Sequence, residues 1–144
     1  MGKLISAITS HDLQGIAEAY QENPSSAFER VNGWLPIEWA EKTGNCVTQA
    51  RTARILSQKL PSLSPRAVLK KYIAIISATD YEVIPRNTLS SMIWDAVYKG
   101  KTFKVDRWNR DLIASPEHAL DVRYLIEQCD ILSTEELGAF IENA

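Results

Sequence analysis

Residues that usually carry chemistry are scarce in this 144-residue chain, which has two cysteines and two histidines. Neither Cys46 nor Cys129 has a Cys or His neighbour at the spacing of a zinc site, which argues against a zinc-binding module. Both are predicted to be reduced thiols in the core, because free cysteine is usually a small buried hydrophobe. No metal ligand set and no cofactor is predicted.

Long apolar runs and low-complexity segments are also missing. No apolar run approaches the ~20 residues of a membrane span, and the first residues lack the apolar core of a signal peptide. We therefore expect a cytoplasmic protein without a membrane partner. Charged residues make up 24% of the chain and apolar residues 45%, a balance typical of a folded domain. The length predicts a single domain, residues 1–144.

No arrangement of Ser, Cys, His and Asp matches a catalytic motif. His118 has two acidic neighbours, Glu117 and Asp121, and could act as a general base or be an ordinary surface group. Glu38 and Glu41 lie three residues apart on one helix face and are predicted to be solvated. We predict a non-enzymatic protein, with a small helical enzyme as an alternative.

The segment from Asn32 to Asn45 is the most informative, since its turn, proline and small residues have the spacing of a helical repeat. It resembles an ankyrin repeat, in which a β-turn leads into a helix that starts Thr-Pro-Leu-His. Leu35 stands where the family has Thr, and Glu38 where it has His. The matching positions are Gly33, Pro36, Ile37, Ala40 and Gly44.

A second copy of this pattern lies 33 residues earlier, which is the ankyrin period. Asp12 and Asn45 are each predicted to cap the second helix of a pair, and His11 aligns with the turn residue Gly44. The paired positions are Leu4 with Ile37, Ala7 with Ala40, Asp12 with Asn45, and Ala17 with Ala50. Residues 1–60 thus contain two repeat-like units or an ordinary pair of helical hairpins. Because repeat arrays generally need about three units, residues 61–144 are predicted to cap them.

The remainder predicts further helices, so the fold class is all-α. Ser64-Pro65 and Ser115-Pro116 each place a capping Ser before a Pro at the first helical position, which predicts helices over 65 to about 79 and 116 to about 128. Their apolar stripes are Val68, Tyr72, Ile75 and Ile76, and Ala119, Val122, Leu125 and Ile126. Asn87 is predicted to start a helix that ends at Lys99-Gly100, and Ser133 with Glu136 to form a capping box. A short β-hairpin could form near residues 101–106.

Charge is uneven along the chain. Cationic and anionic residues number six and six in 1–60, nine and four in 61–110, and one and eight in 111–144, giving net charges of 0, +5 and −7. The basic segment 98–110 interleaves aromatic and cationic residues, a mix that could grip nucleic acid. The acidic tail and a pI near 5.7 disfavour that alternative. This segment is also a candidate second contact loop, formed by Lys101, Phe103, Lys104, Arg107, Trp108 and Arg110.

The ankyrin resemblance implies a protein that binds another protein through turn tips and the outward face of each first helix. We expect one dedicated protein partner, which the chain covers as an inhibitor, immunity protein or adaptor. Tryptophan dominates such interfaces, so Trp34 in the turn is the leading candidate. Trp39 could face the partner or pack inward. The predicted partner-binding residues are Trp34, Trp39, Lys42 and Thr43, with counterparts Ser6, Thr9 and Ser10 in the first copy.

Overall fold

The computed structural model describes residues 2–77 and 116–131, together with residues 133, 135–137 and 139. Across these residues the chain is helical, and its one pairing of extended backbone is the isolated bridge between Val31 and Trp34. The all-α prediction is therefore confirmed for the described residues. The helix predicted from Asn87, the hairpin near 101–106 and the contact loop 101–110 lie outside them. The described helices are α1 (Lys3–Thr9), α2 (Leu13–Glu22), a 3-10 helix (Pro24–Phe28), α3 (Pro36–Lys42), α4 (Cys46–Leu56), α5 (Pro65–Ser77) and α6 (Pro116–Gln128).

The chain divides into two compact units, Met1–Ser64 and Pro65–Ala144. A single domain over 1–144 stays a prediction. None of the helices within the described ranges combines the length and apolar character needed to cross a membrane.

The turn between α1 and α2 is closed by two local devices. His11 adopts a left-handed conformation (φ 58°), which lets the N–H of Asp12 bond to Ala7 O at 2.9 Å and its own N–H bond to Ile8 O at 3.1 Å. This is the Schellman arrangement, which satisfies the last carbonyls of a helix. The Asp12 carboxylate then accepts from Gly15 N at 3.0 Å and starts α2, as predicted.

The turn between α3 and α4, 33 residues later, has a left-handed residue and a side-chain cap at the same positions, but here the N–H of the capping residue Asn45 bonds to Thr43 Oγ1 at 3.2 Å. Gly44 takes the left-handed conformation (φ 68°), and the Asn45 side chain accepts from Val47 N and Thr48 N at 3.0 Å each. The predicted cap at Asn45 is confirmed. Helices α1 and α3 start at Lys3 and Pro36, and α2 and α4 start 10 residues after each of them, at Leu13 and Cys46.

The two hairpins pack side by side, with α1 against α3 and α2 against α4. Small residues let the helix backbones approach closely, and larger apolar side chains fill the remaining space. Ala17 does not share this role: it is exposed, whereas its partner Ala50 is fully buried. The pairing of these two alanines as equivalent packing positions was wrong, because Ala17 lies on the side of α2 turned away from Ile16 and Ala19. The core of this unit comprises Leu4, Ala7, Ile8, Ile16, Ala19, Ala27, Ala40 and Leu56.

In the second unit α5 packs against α6. The predicted helix starts at Pro65 and Pro116 are confirmed. The Tyr72 hydroxyl donates to Asp121 Oδ2 at 3.0 Å, and neither side chain is exposed, so the buried carboxylate has a partner. Ser133 Oγ accepts from Glu136 N at 3.1 Å, half of the predicted capping box. The predicted apolar positions Val68, Tyr72, Val122, Leu125 and Ile126 are buried.

Candidate functional site

A tight turn at residues 31–34 positions the leading candidate residue. Val31 and Trp34 exchange both backbone hydrogen bonds, at 2.8 and 3.1 Å. Between them Asn32 (φ 52°) and Gly33 (φ 84°) are both left-handed. Positive φ at both central positions defines a type I′ turn, for which Asn-Gly is the preferred pair. The sequence thus folds locally into a rigid tip with Trp34 at its end.

Trp34 is 38% exposed and is held from two sides. Its ring meets that of Trp39 edge-on, with centroids 5.2 Å apart and planes at 64°. The Lys42 ammonium lies 3.1 Å from the Trp34 ring centroid, one turn further along α3. Edge-on aromatic pairs contribute about 0.5–1.5 kcal/mol and exposed cation–π contacts about 0.5–1 kcal/mol, so both favour one ring position. We call Trp34, Trp39 and Lys42 the Trp34 surface.

Trp39 contacts both the core and the turn that carries Trp34. Its ring is half-buried and packs on the core, and its Nε1 donates to Val31 O at 3.0 Å. A buried indole N–H needs such a partner, and here the partner is the turn that carries Trp34. Trp39 therefore couples the tip to α3.

Glu38 closes the start of α3 through its carboxylate. Its Oε1 accepts from Leu35 N at 2.8 Å and lies 3.5 Å from Arg30 Nη1, which also donates to Gly33 O at 2.9 Å. Leu35 has no side-chain acceptor, so half of a capping box is formed. Arg30 was missed at the sequence level because its partners depend on the path of the turn.

Glu41 also has a structural role. Its carboxylate accepts from Ser62 N at 2.8 Å, from Ser62 Oγ at 2.5 Å and from Leu63 N at 3.3 Å. The prediction that Glu38 and Glu41 are merely solvated was wrong: one closes the start of α3, and the other fixes the loop after α4. The two carboxylates do not form a catalytic pair, because each accepts hydrogen bonds from backbone N–H groups.

Three of the four predicted hydroxyl residues donate their hydroxyl proton to a backbone carbonyl three or four residues earlier. Thr9 Oγ1 donates to Ile5 O at 3.0 Å, Ser10 Oγ to Ser6 O at 2.7 Å, and Thr43 Oγ1 to Ala40 O at 2.7 Å. These bonds return to the backbone of the same helix. Ser6 and Ser10 border an open groove of about 370 Å³ between α1 and α2, whose other wall carries Glu18 and Glu22.

The structure thus brings Trp34, Trp39 and Lys42 into contact, and it places Ser6 and Thr9 on the neighbouring α1 and Ser10 directly after it. Sequence reasoning missed Phe28, the last residue of the 3-10 helix, which is 73% exposed. No periodic pattern could have found it, since the 3-10 helix is one short turn after Pro24.

His11 lies where the two hairpins meet, and the two cysteines lie inside the structure. His11 Nδ1 lies 2.9 Å from Thr48 Oγ1, a contact that joins the two hairpins. Neither cysteine is in a disulfide, and both are buried. Burial raises the pKa of the Cys129 thiol to about 11; the Arg66 charge opposes this rise and Asp130 adds to it. The Cys129 thiol is therefore protonated at neutral pH and is a poor nucleophile.

His118 lies in the first turn of α6. Among the residues the structure describes, no group of three or more His, Cys, Asp or Glu side chains could hold a metal ion.

Comparison with protein-family models, with curated proteins and with solved structures gave no match to this chain.

Proposed function

We propose that this chain is a non-enzymatic protein-binding module that covers a surface of one dedicated protein partner, as an inhibitor, immunity protein or adaptor of the cytoplasm. The observation that carries the proposal is Trp34: a 38% exposed tryptophan on a rigid turn, with its ring held by Trp39 and Lys42. Exposed aromatic rings fixed before binding lose little entropy on association, which is the property of interface hot spots.

The architecture of the first unit supports an ankyrin-like assignment within this proposal. Two helical hairpins lie side by side with starts 33 residues apart, and a tight turn precedes the second. In that arrangement the turn tip and the outward positions of α1 and α3 form one recognition surface. The proposed contact residues are Trp34, Trp39, Lys42 and Thr43 on the second hairpin, and Ser6, Thr9 and Ser10 on the first.

The test is affinity purification of the tagged chain from its native cells at moderate salt, with quantitative mass spectrometry. We expect one stoichiometric protein that is recovered with the unmodified chain and lost with Trp34→Ala. Phe28→Ala is the control, because it removes another exposed aromatic side chain that is not part of the Trp34 surface.

The recovered protein is then titrated against each purified variant by calorimetry. Trp34→Ala should weaken binding about 30-fold or more, which corresponds to ~2 kcal/mol at a hot spot. Phe28→Ala should leave the affinity unchanged. Recovery of nucleic acid, or of a protein that binds Trp34→Ala equally well, would contradict the proposal and favour the basic segment 98–110.

A further inference from the structure

Lys42 is the charged group that the Trp34 surface leaves uncompensated. Its side chain is exposed, and its ammonium lies over the Trp34 ring. Among the described residues no carboxylate lies within ion-pair distance of Lys42. The carboxylates nearest to it in sequence, Glu38 and Glu41, are committed to Leu35 and to Ser62.

The other cation beside the turn is already compensated. Arg30 lies 3.5 Å from Glu38 and donates to the carbonyl of Gly33. Of the two described cations beside the turn, the Lys42 ammonium is therefore the one that an approaching acidic group finds without an ion-pair partner. Because an ammonium has three N–H donors and the ring attracts it from one side, donors stay available to a second group.

We infer that the Trp34 surface receives an acidic segment of the protein partner, with a carboxylate of Asp or Glu on Lys42 and apolar atoms of the same segment against the Trp34 ring. This inference rests on the proposed function, and it adds the chemistry of the partner. The inference rests on charge complementarity. The Lys42 ammonium lies beside the exposed Trp34 ring, and this pair is complementary to a carboxylate next to an apolar side chain.

The charge of the surrounding chain favours a single carboxylate over a polyanion. Residues 1–60 carry six cationic and six anionic side chains, so no net positive field surrounds the tip. Nucleic acids need several cations on one face, whereas one ammonium can compensate one carboxylate.

The experiment uses a displayed library of random 12-residue peptides, selected on the full-length chain and counter-selected on Trp34→Ala. We expect enrichment of peptides in which Asp or Glu neighbours an apolar residue. One such peptide is then synthesised in three forms, with its acidic residue kept, changed to Gln or changed to Lys.

Binding of these peptides is measured on Lys42→Gln, Lys42→Glu and the control Lys59→Glu, which makes the same charge change at another exposed lysine. Lys42→Gln should weaken the acidic peptide up to about fivefold, the upper range for an exposed ion pair. Lys42→Glu should weaken it further, Lys59→Glu should not, and the Lys peptide should regain affinity on Lys42→Glu.

Two outcomes would contradict the inference, and only one of them would also contradict the proposed function. Peptides that depend on Trp34 but show no acidic bias and ignore Lys42→Glu would overturn the acidic partner and leave the proposed function standing. A library that yields no Trp34-dependent peptide would overturn both. Circular dichroism of each variant separates these results from loss of folding, and Lys42→Gln gives a second reading without charge reversal.

Discussion

The two hairpins of the first unit share a backbone plan and differ in what they present outward. Leu4 and Ile37 are equally buried in α1 and α3, and Asp12 and Asn45 each cap the helix that follows. The exposed Ser6 of α1 corresponds to Trp39 of α3, and Thr9 to Lys42. The core and cap positions carry similar residue types in both hairpins. The outward positions, which could contact a partner, carry different ones.

The two hairpins therefore differ in the side chains on their outward faces. In the first hairpin the hydroxyls of Thr9 and Ser10 donate to its own backbone, whereas the second carries two tryptophans and Lys42, which has no ion-pair partner among the described residues. The repeated positions therefore form the packed core and the caps, whereas the divergent positions include the residues proposed to contact a partner. Each comparison of paired positions can be tested by substitution.

The largest effect is expected at the buried pair Leu4 and Ile37, each 3% exposed. Leu4→Ala and Ile37→Ala should each lower the free energy of unfolding by about 2–5 kcal/mol, because both leave a cavity in the packed core. Urea unfolding followed by circular dichroism measures this. Ser6→Ala, at an exposed position of α1, is the control and should change stability by less than about 0.5 kcal/mol. A small effect at one site alone would show that the two hairpins are not equivalent.

The inter-helix turns should respond unequally. Gly44→Ala places a Cβ at φ 68° and should cost about 1–2 kcal/mol, because side chains are strained in the left-handed region. His11 already tolerates φ 58° at the corresponding site, and its ring contacts Thr48. His11→Gly should therefore change stability by less than about 1 kcal/mol, since relief of strain offsets the lost contact. Thermal unfolding of both variants measures these changes in stability. If Gly44→Ala left the stability unchanged, the argument from backbone strain would be refuted.

The smallest effect is expected at the helix caps. Asp12→Ala and Asn45→Ala should each cost ~1 kcal/mol, with the larger loss at Asn45, whose side chain accepts from two N–H groups. Asp12→Asn and Asn45→Asp keep an acceptor oxygen and serve as controls near zero. Chemical unfolding resolves these differences. An Asp12→Ala loss larger than that of Asn45→Ala would show that neighbouring contacts outweigh the number of capped N–H groups.

Much of the helical plan was accessible from the sequence because its signals are local. A capping Asp, Asn or Ser acts on N–H groups two or three residues ahead, and a Pro after Ser marks the first helical position. The starts of α2, α4, α5 and α6 were therefore predicted. The 3-10 helix was not, because five residues after a proline contain no periodic pattern.

The candidate site was predicted in its residues and not in its contacts. Trp34, Trp39 and Lys42 were singled out from one repeat-like segment, but their mutual packing depends on the path of the turn. Glu41 reaches Ser62, 21 residues away, and His11 reaches Thr48, 37 residues away. No local pattern encodes such pairs, since they exist only once two helices have met.

By itself the sequence determined the helical class of the described residues, the 33-residue spacing and the side-chain caps that start α2 and α4, because these follow from hydrogen bonds and steric limits between near neighbours. The tertiary structure alone decided that Trp39 supports Trp34 from the core side, that Glu38 and Glu41 accept from backbone N–H groups, and that the Lys42 ammonium lies over the Trp34 ring. Those assignments depend on which helix faces are buried together, and burial is a property of the whole packed unit.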